Sequence, residues 1–366
     1  MQWVSLTVTD ADNNLRTALL PGLGAGLMLG ALLLILIAAL LPHRPAWMPE
    51  DPALEAHATA LTVDAEGRLI MGTRDGQLWR HDGTWQALDP IPGERAATRL
   101  AVVDGQLLIA APDGLFDRTG RVGEIEGRIV DVRTFDDDRT LLGGAPGVLA
   151  RDGQDNWQDT GLRQRLGDET QIYRIWQTRN GDLHAGTIGD GVWSLAADAT
   201  DWSSNNRELP EDSKVFALAE ADNGVLLAGT DQGLFWQAAG SDHWRAMDGG
   251  DAADRRILDL LIDPAADGDH PVLLAASDDG VLRVELVLRD DWVETRGRWQ
   301  MLDTGPHGLD GSVSHLAISK HGLWAAAGTV YHYQPVAPAI RLPMVMLAGI
   351  LLGLGVFLLT LLRWRL

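Results

Sequence analysis

The hydrophobic pattern divides the chain into two uncharged ends and a long alternating middle. Ala18 to Leu41 and Leu342 to Leu362 contain no charged residue. Each stretch is long enough to cross a hydrocarbon core of about 30 Å, which takes roughly 20 helical residues. A cleaved signal peptide would have a shorter apolar region. We therefore predict transmembrane helices over residues 18–42 and 342–362, with an N-terminal tail at 1–17 and a C-terminal tail at 363–366.

Both predicted helices carry glycines spaced four residues apart. They are Gly22, Gly26 and Gly30 in the first helix, and Gly349 and Gly353 in the second. Glycines at this spacing form a flat face that another helix backbone can approach closely. We expect these faces to serve either the pairing of the two helices or docking onto a partner helix.

Tryptophan and arginine at the flanks indicate the position and orientation of the helices. Trp47 and Trp364 stand where interfacial tryptophans usually lie. The two tails carry three arginines and the opposite flanks carry two, namely Arg16, Arg363 and Arg365 against Arg44 and Arg341. Basic residues favour the cytoplasmic side. We expect both tails in the cytoplasm of a bacterium and the domain at 45–335 on the periplasmic side of the inner membrane.

The middle segment contains seven copies of one sequence motif, and the seventh copy lacks the turn glycine. Small apolar residues and Gly-Thr or Ala-Ser are followed by turn residues, a glycine and an apolar pair, as in Ala228 to Phe235. The turn glycines lie 33 to 47 residues apart and are Gly76, Gly114, Gly147, Gly191, Gly233 and Gly280. That interval matches a four-stranded propeller blade of about 40–50 residues. We predict an all-β fold, a seven-bladed β-propeller of four-stranded antiparallel blades.

The seventh module lacks the outer strand that the other modules have. It runs from Ser312 to Tyr333 and then directly toward the second apolar stretch. The spare candidate strand lies just after the first apolar stretch, around Trp47-Met48. Because a closed ring hides its strand edges, we expect this segment to complete the last blade.

The repeats resemble a known propeller class. The segments LLAGTDQGLFWQAAGSDHWRAM (226–247) and NGDLHAGTIGDGVW (180–193) carry the resemblance. The first is similar to Asp-box (BNR) repeats, which photosystem II assembly-factor-like propellers, sortilin-type receptors and sialidases share. The second resembles the propellers of two-component sensors. The resemblance implies a propeller over roughly 55–335. The Asp-box sequence itself is incomplete in this chain, as in Ser241-Asp242-His243-Trp244.

Composition narrows the range of partners. The formal net charge of −21 argues against nucleic acid, because phosphate backbones recruit basic surfaces. The chain has no cysteine, so disulfides and thiolate metal sites are excluded. The histidines show no metal-ligand pair such as His-Glu-x-x-His, although His307, His315, His321 and His332 fall in or beside the last blade. The glycines sit in hairpin turns, and we expect no cofactor.

One arginine-rich group of residues is a candidate for a catalytic site. A sialidase-like glycosidase would need clustered arginines, a nucleophilic tyrosine and a carboxylic acid. Tyr173 adjoins Arg174, and Arg99, Arg133 and Arg174 are expected to face the central channel. The plainer interpretation is that inner strands carry polar residues because the channel holds water.

These patterns favour a protein without enzymatic activity. We expect an accessory, assembly or structural subunit of a membrane protein complex, which contacts integral membrane subunits through its helices and its propeller surface. The alternatives are a ligand-binding sensor propeller that signals through a partner subunit, or a sialidase-like glycosidase.

Overall fold

The structure is a computed structural model of the chain. It describes residues 10–50, 57–135, 139–151, 156–167, 170–247, 252, 254–264, 270–302, 304, 308–309, 311–338 and 340–363. Two compact units are present: Ala46–Gln334, and the terminal segments up to Pro45 and from Pro335 onward.

The larger unit contains seven four-stranded sheets, as the repeats predict. The innermost strands are β2 (Ala58–Val63), β6 (Arg99–Val103), β10 (Ile129–Thr134), β14 (Gln171–Gln177), β18 (Val215–Glu220), β22 (Ile257–Asp263) and β26 (His315–Ser319). The second strands are β3 (Leu69–Thr73), β7 (Gln106–Ala111), β11 (Thr140–Gly144), β15 (Leu183–Ile188), β19 (Leu226–Thr230), β23 (Val272–Ser277) and β27 (Gly322–Ala327).

The third and fourth strands complete each blade toward the outside. The third strands are β4 (Leu78–His81), β8 (Gly114–Phe116), β12 (Gly147–Arg151), β16 (Val192–Leu195), β20 (Gly233–Gln237), β24 (Gly280–Arg289) and β28 (Thr329–Val336). The outer strands are β5 (Trp85–Ala87), β9 (Arg121–Glu126), β13 (Trp157–Asp159), β17 (Ser203–Ser204), β21 (Trp244–Ala246), β25 (Trp292–Met301) and β1 (Arg44–Pro49). We number the blades 1 to 7 in the order of their innermost strands.

The ring closes in blade 7, where the first strand of the chain joins the last three. The strand order in that sheet is β1-β28-β27-β26, and the Glu50 N–H donates to the Val330 carbonyl at 2.9 Å. The innermost strands contact one another around the full circle, including β2 against β26. The predicted closure is confirmed, and the chain enters and leaves the propeller on adjacent strands of one blade.

Trp47 corrects one prediction. It does not lie at an exposed membrane interface, because its side chain is fully buried in the propeller. It packs between blades 6 and 7, with its ring 5.1 Å from that of Tyr333. The pairing of β1 with β28 turns this side chain inward, so the same strand pairing that closes the ring removes Trp47 from the surface. Trp364 lies outside the described residues.

The hydrophobic core lies between neighbouring blades. Seven clusters of buried apolar side chains occur among the described residues, one at each blade–blade interface. The small residues of the second strands allow this close approach. A Cβ atom at Gly186 would lie 2.7 Å from Val215 Cγ1 of the next blade, and one at Gly229 would lie 2.7 Å from Ile257 Cγ2.

The hydroxyl residue of the repeated Gly-Thr or Ala-Ser motif has a second role at the turn. The Thr230 hydroxyl donates to the Gly233 carbonyl, and the Ser277 hydroxyl donates to the Gly280 carbonyl, both at 2.9 Å. The six predicted turn glycines all have positive φ, from 65° at Gly191 to 152° at Gly114. This left-handed region is readily available only to glycine, which accounts for the recurrence of that residue.

The smaller unit consists of two helices, α1 (Asp10–Leu40) and α2 (Arg341–Arg363). Both are long and apolar enough to span a membrane. Helix α1 begins at Asp10, before the apolar stretch.

Candidate functional site

One layer of side chains around the propeller axis is unusually polar. The β-sheet register identifies seven equivalent positions on the innermost strands, each paired with the small residue near the end of the second strand. In blade order these positions hold Ala60, Arg99, Asp131, Arg174, Ala217, Asp259 and His315. We call this set the axial layer. Two carboxylates, two guanidiniums and an imidazole therefore occupy one level of the innermost strands.

The two carboxylates are held in the same way. Asp131 Oδ2 accepts from the Ile175 N–H of the next blade at 3.0 Å, and Asp259 Oδ2 accepts from the Leu316 N–H of the next blade at 3.0 Å. Both side chains are buried. An aspartate at this position therefore links its own blade to its neighbour by satisfying a backbone donor.

The arginines cross the axis and join blades that are not neighbours. Arg174 Nε donates to the Phe216 carbonyl at 2.8 Å, and its Nη1 and Nη2 lie 3.6 and 3.5 Å from carboxylate oxygens of Asp131 and Asp259. Arg99 lies between the same carboxylates, with Nε 3.1 Å from Asp131 Oδ1 and Nη2 3.7 Å from Asp259 Oδ1.

A third arginine, Arg133, stands two residues after Asp131 on β10. Arg133 Nε donates to Asp131 Oδ2 at 3.1 Å, and the guanidinium carbon lies 5.1 Å from the Trp176 ring centroid. Burial would raise the pKa of Asp131, but Arg133, Arg174 and Arg99 outweigh it and lower that pKa to about 2. The carboxylate is therefore ionised at neutral pH.

The remaining ionisable groups set the charge of the cluster. Burial would raise the pKa of Asp259, but Arg99 and Arg174 lower it below the usual value. Burial first, then Arg99, lowers the pKa of His315 to about 3, so the imidazole is neutral at pH 7. Burial lowers the pKa of Arg99 to about 10. Three guanidiniums thus face two carboxylates in a cluster that is largely screened from water.

A pocket of about 1130 Å³ opens above this cluster. Residues of all seven innermost strands or the turns after them line it. Arg99 and Arg133 lie among the lining residues, with Phe135 and Trp176 beside them, and the two aromatic rings meet edge to face at 5.8 Å. The pocket therefore combines exposed apolar surface with a cationic end.

The structure brings the three predicted channel arginines together, as the sequence suggests, but it also adds Asp131, Asp259 and His315. The signal for the two aspartates is visible in the sequence, because each interrupts a run of apolar residues, as in Val130-Asp131-Val132 and Leu258-Asp259-Leu260. The Tyr173 ring packs against the Phe216 ring at 5.4 Å, and the Arg174 guanidinium carbon lies 5.9 Å from the Tyr173 ring centroid. The ionised Asp131 is unsuited to the role of a glycosidase acid, which needs a raised pKa.

Other histidines gather at the junction between blades 7 and 1. His332 stacks on Trp324 at 4.1 Å, and its Nδ1 lies 3.2 Å from Glu50 Oε1. His81 and His321 pack nearby, with ring centroids 5.1 Å apart. Within the part of the chain that the structure describes, no group of three or more metal-ligating side chains is arranged to hold a metal ion. His307 lies outside that part.

The two helices pack on each other through glycines other than the predicted ones. A Cβ atom at Gly24 would lie 3.0 Å from Leu359 Cγ and 3.1 Å from the Gly355 carbonyl oxygen. Ala31, Ala38 and Ala348 of the two helices are also buried. A Cβ atom at any of the predicted positions would meet nothing within 4 Å; these are Gly22, Gly26, Gly30, Gly349 and Gly353.

Comparison with solved structures places the fold among known propellers. An extracellular domain assigned to a hybrid two-component system of B. thetaiotaomicron aligns with a TM-score of 0.60 at 17% identity, covering 80% of this chain and 39% of that one. YCF48 from Cyanidioschyzon merolae, a photosystem II assembly factor, aligns with a TM-score of 0.57 at 12% identity, covering 79% and 99%.

Catalytic propellers also share the fold. An ancestral GH74 enzyme aligns with a TM-score of 0.60 at 15% identity, covering 79% of this chain and 46% of that one. The chain thus spans less than half the length of the sensor domain and of this enzyme. No protein-family model matches the chain, and a search of curated proteins finds no match. At these identities the likeness shows the fold alone.

Proposed function

We propose that this protein is a membrane-anchored, non-enzymatic propeller that serves as an accessory, assembly or structural subunit of a membrane protein complex. The observation that carries the proposal is the unoccupied glycine face of α1. Helix α1 packs on α2 through Gly24, while Gly22, Gly26 and Gly30 face open space. A glycine face that is unnecessary for the internal helix pair is suited to a further helix.

The helix geometry separates the two faces clearly. Successive residues of an α-helix are rotated by about 100°, so Gly26 lies roughly 200° around the helix from Gly24. Helix α1 therefore has a side that contacts α2 and a nearly opposite side with small residues. The same argument extends to Gly349 and Gly353, which also face open space on α2.

The comparisons support a propeller that binds other proteins as a complete domain. The match to YCF48 covers nearly the whole of that assembly factor, whereas the match to the sensor domain covers 39% of it. The sensor alternative keeps some support, because extracellular sensor domains share the fold. The axial cluster is occupied by internal ion pairs, which disfavours the glycosidase alternative.

Charge and topology refine the proposal. A net charge of −21 favours a basic partner surface, because complementary charge steers association. We place the two tails in the cytoplasm and the propeller on the periplasmic side of a bacterial inner membrane. The arginine bias of the tails and the likeness to extracellular domains both support this orientation.

The test is copurification of the full chain from native membranes in mild detergent, followed by mass spectrometry. We expect integral membrane proteins in stable proportion to the wild-type chain. Replacing Gly22, Gly26 and Gly30 together by leucine should release them, because leucine side chains would hold the partner helix away. Ala25→Leu, at an exposed position off the glycine face, is the matched control and should retain them. Equal recovery with both variants would contradict the assigned face.

A further inference from the structure

The end of the axial pocket holds a guanidinium with hydrogen-bond donors that no described residue accepts from. Arg133 directs Nε to Asp131. Its two terminal amino groups donate no hydrogen bond to any residue that the structure describes. Its side chain is 19% exposed and lines the pocket. A guanidinium with both terminal groups free can bind a carboxylate through two parallel hydrogen bonds.

The local charge favours an anion at this point. Arg99, Arg133 and Arg174 carry three positive charges against the two of Asp131 and Asp259, and both carboxylates already accept backbone N–H groups. A buried charge without a counter-ion is costly, and a paired one much less so. One monovalent anion beside Arg133 would balance the cluster.

The walls of the pocket indicate what the rest of the ligand is like. Val63, Val102, Phe135, Trp176 and Ile318 line the pocket and remain half-exposed. Half-buried apolar side chains around a concave site gain from covering by an apolar body.

We propose that the axial pocket binds a small monocarboxylate with an apolar or aromatic body. The carboxylate lies on Arg133, with Arg99 behind it, and the apolar body packs against Trp176 and Phe135. This site is independent of the proposed subunit role, because it lies wholly within the propeller.

The experiment titrates the full chain in detergent with phenylacetate by isothermal calorimetry. Phenylacetamide, its neutral analogue, tests the charge, and sulfate tests whether an anion suffices without an apolar body. We expect saturable binding of phenylacetate, with phenylacetamide and sulfate each at least about 10-fold weaker, since charged hydrogen bonds and burial of a small ring each contribute that much. No saturable binding of phenylacetate up to about 10 mM would overturn the proposal.

Variants of the pocket test the assigned residue. Arg133→Gln should weaken phenylacetate binding about 10- to 100-fold, as expected for losing a charged two-point contact. Arg133→Lys keeps the charge and loses the fork, so it should bind more weakly than wild type even if Arg133→Gln fails to fold. Arg118→Gln, on the exposed outer surface, is the control. Wild-type affinity in a folded Arg133→Gln protein, or equal binding of phenylacetamide, would refute the site.

Discussion

Asp131→Asn tests whether the axial layer holds the blades together. The substitution keeps the shape and leaves an amide oxygen that can still accept from the Ile175 N–H. It removes only the negative charge that faces Arg99, Arg133 and Arg174. The variant therefore isolates the electrostatic contribution of one buried carboxylate to the stability of the propeller.

Two magnitudes bound the stability that Asp131→Asn should lose. The pKa of Asp131 falls from 3.8 to about 2, which corresponds to about 2 kcal/mol of stability at neutral pH. Removing one partner of a buried ion pair typically costs about 3–5 kcal/mol, because the other charge stays uncompensated. We adopt about 2–4 kcal/mol, since Asp259 still balances part of the positive charge. At about 2 °C per kcal/mol for a domain of this size, the Tm should fall by about 4–8 °C.

The assay is thermal unfolding of the full chain in detergent, followed by tryptophan fluorescence. A carboxylate with a lowered pKa contributes its full stability above the unfolded pKa of 3.8 and loses it as the pH falls toward 2. The difference between wild type and variant should therefore be constant from about pH 5 to 8. Asp89→Asn, on the exposed surface, should leave the Tm unchanged.

Two results would refute this reasoning. An unchanged Tm in Asp131→Asn would show that the carboxylate does not stabilise the ring. A difference that disappears near pH 6 would show that Asp131 is protonated in the folded protein. A double-mutant cycle adds a check: removing Arg133 should cost less in the Asp131→Asn background, by about 0.5–3 kcal/mol for interacting residues.

Three further predictions concern closure, acid stability and helix packing. Trp47→Ala should destabilise the propeller by about 3–5 kcal/mol, as for other buried tryptophans, while the neighbouring Met48→Ala should cost much less in the same unfolding assay. Stability should fall below about pH 6.5, because His315, facing Arg99, Arg174, Asp131 and Asp259, is neutral when folded and protonated when unfolded. His315→Asn should reduce that slope by about 1.4 kcal/mol per pH unit, and an unchanged slope would contradict the assignment. Gly24→Leu should separate α1 from α2, measured as lost cross-linking between cysteines placed on the two helices, while Gly26→Leu should leave cross-linking intact.

The repeat architecture was predictable from the sequence because each blade carries its own local signal. The small-residue strand recurs in every module and the turn glycine in six of the seven, and a missing outer strand in the last module indicates how the ring closes. These features depend on backbone geometry within a single hairpin. They do not require knowledge of which residues meet across the ring.

The axial layer and the helix contact depend on distant contacts and were only partly predictable. Arg99, Asp131 and Asp259 are far apart in the chain and meet only because the ring brings equivalent strand positions together. Trp47 resembles an interfacial residue by its position in sequence, yet strand pairing buries it. Glycine spacing identified an open face of α1, whereas the internal contact uses Gly24 and Gly355, whose positions depend on how the two helices approach.

We propose that both terminal helices cross a membrane and that the propeller lies on its outer side. The chain contains no cysteine, so single cysteines can be labelled without background. In intact cells whose outer membrane is permeabilised, a membrane-impermeant maleimide should label Glu124→Cys on the exposed outer strand β9. Ser5→Cys, in the N-terminal tail, should react only after the inner membrane is disrupted. Labelling of Ser5→Cys in intact cells, or protection of Glu124→Cys, would contradict the account.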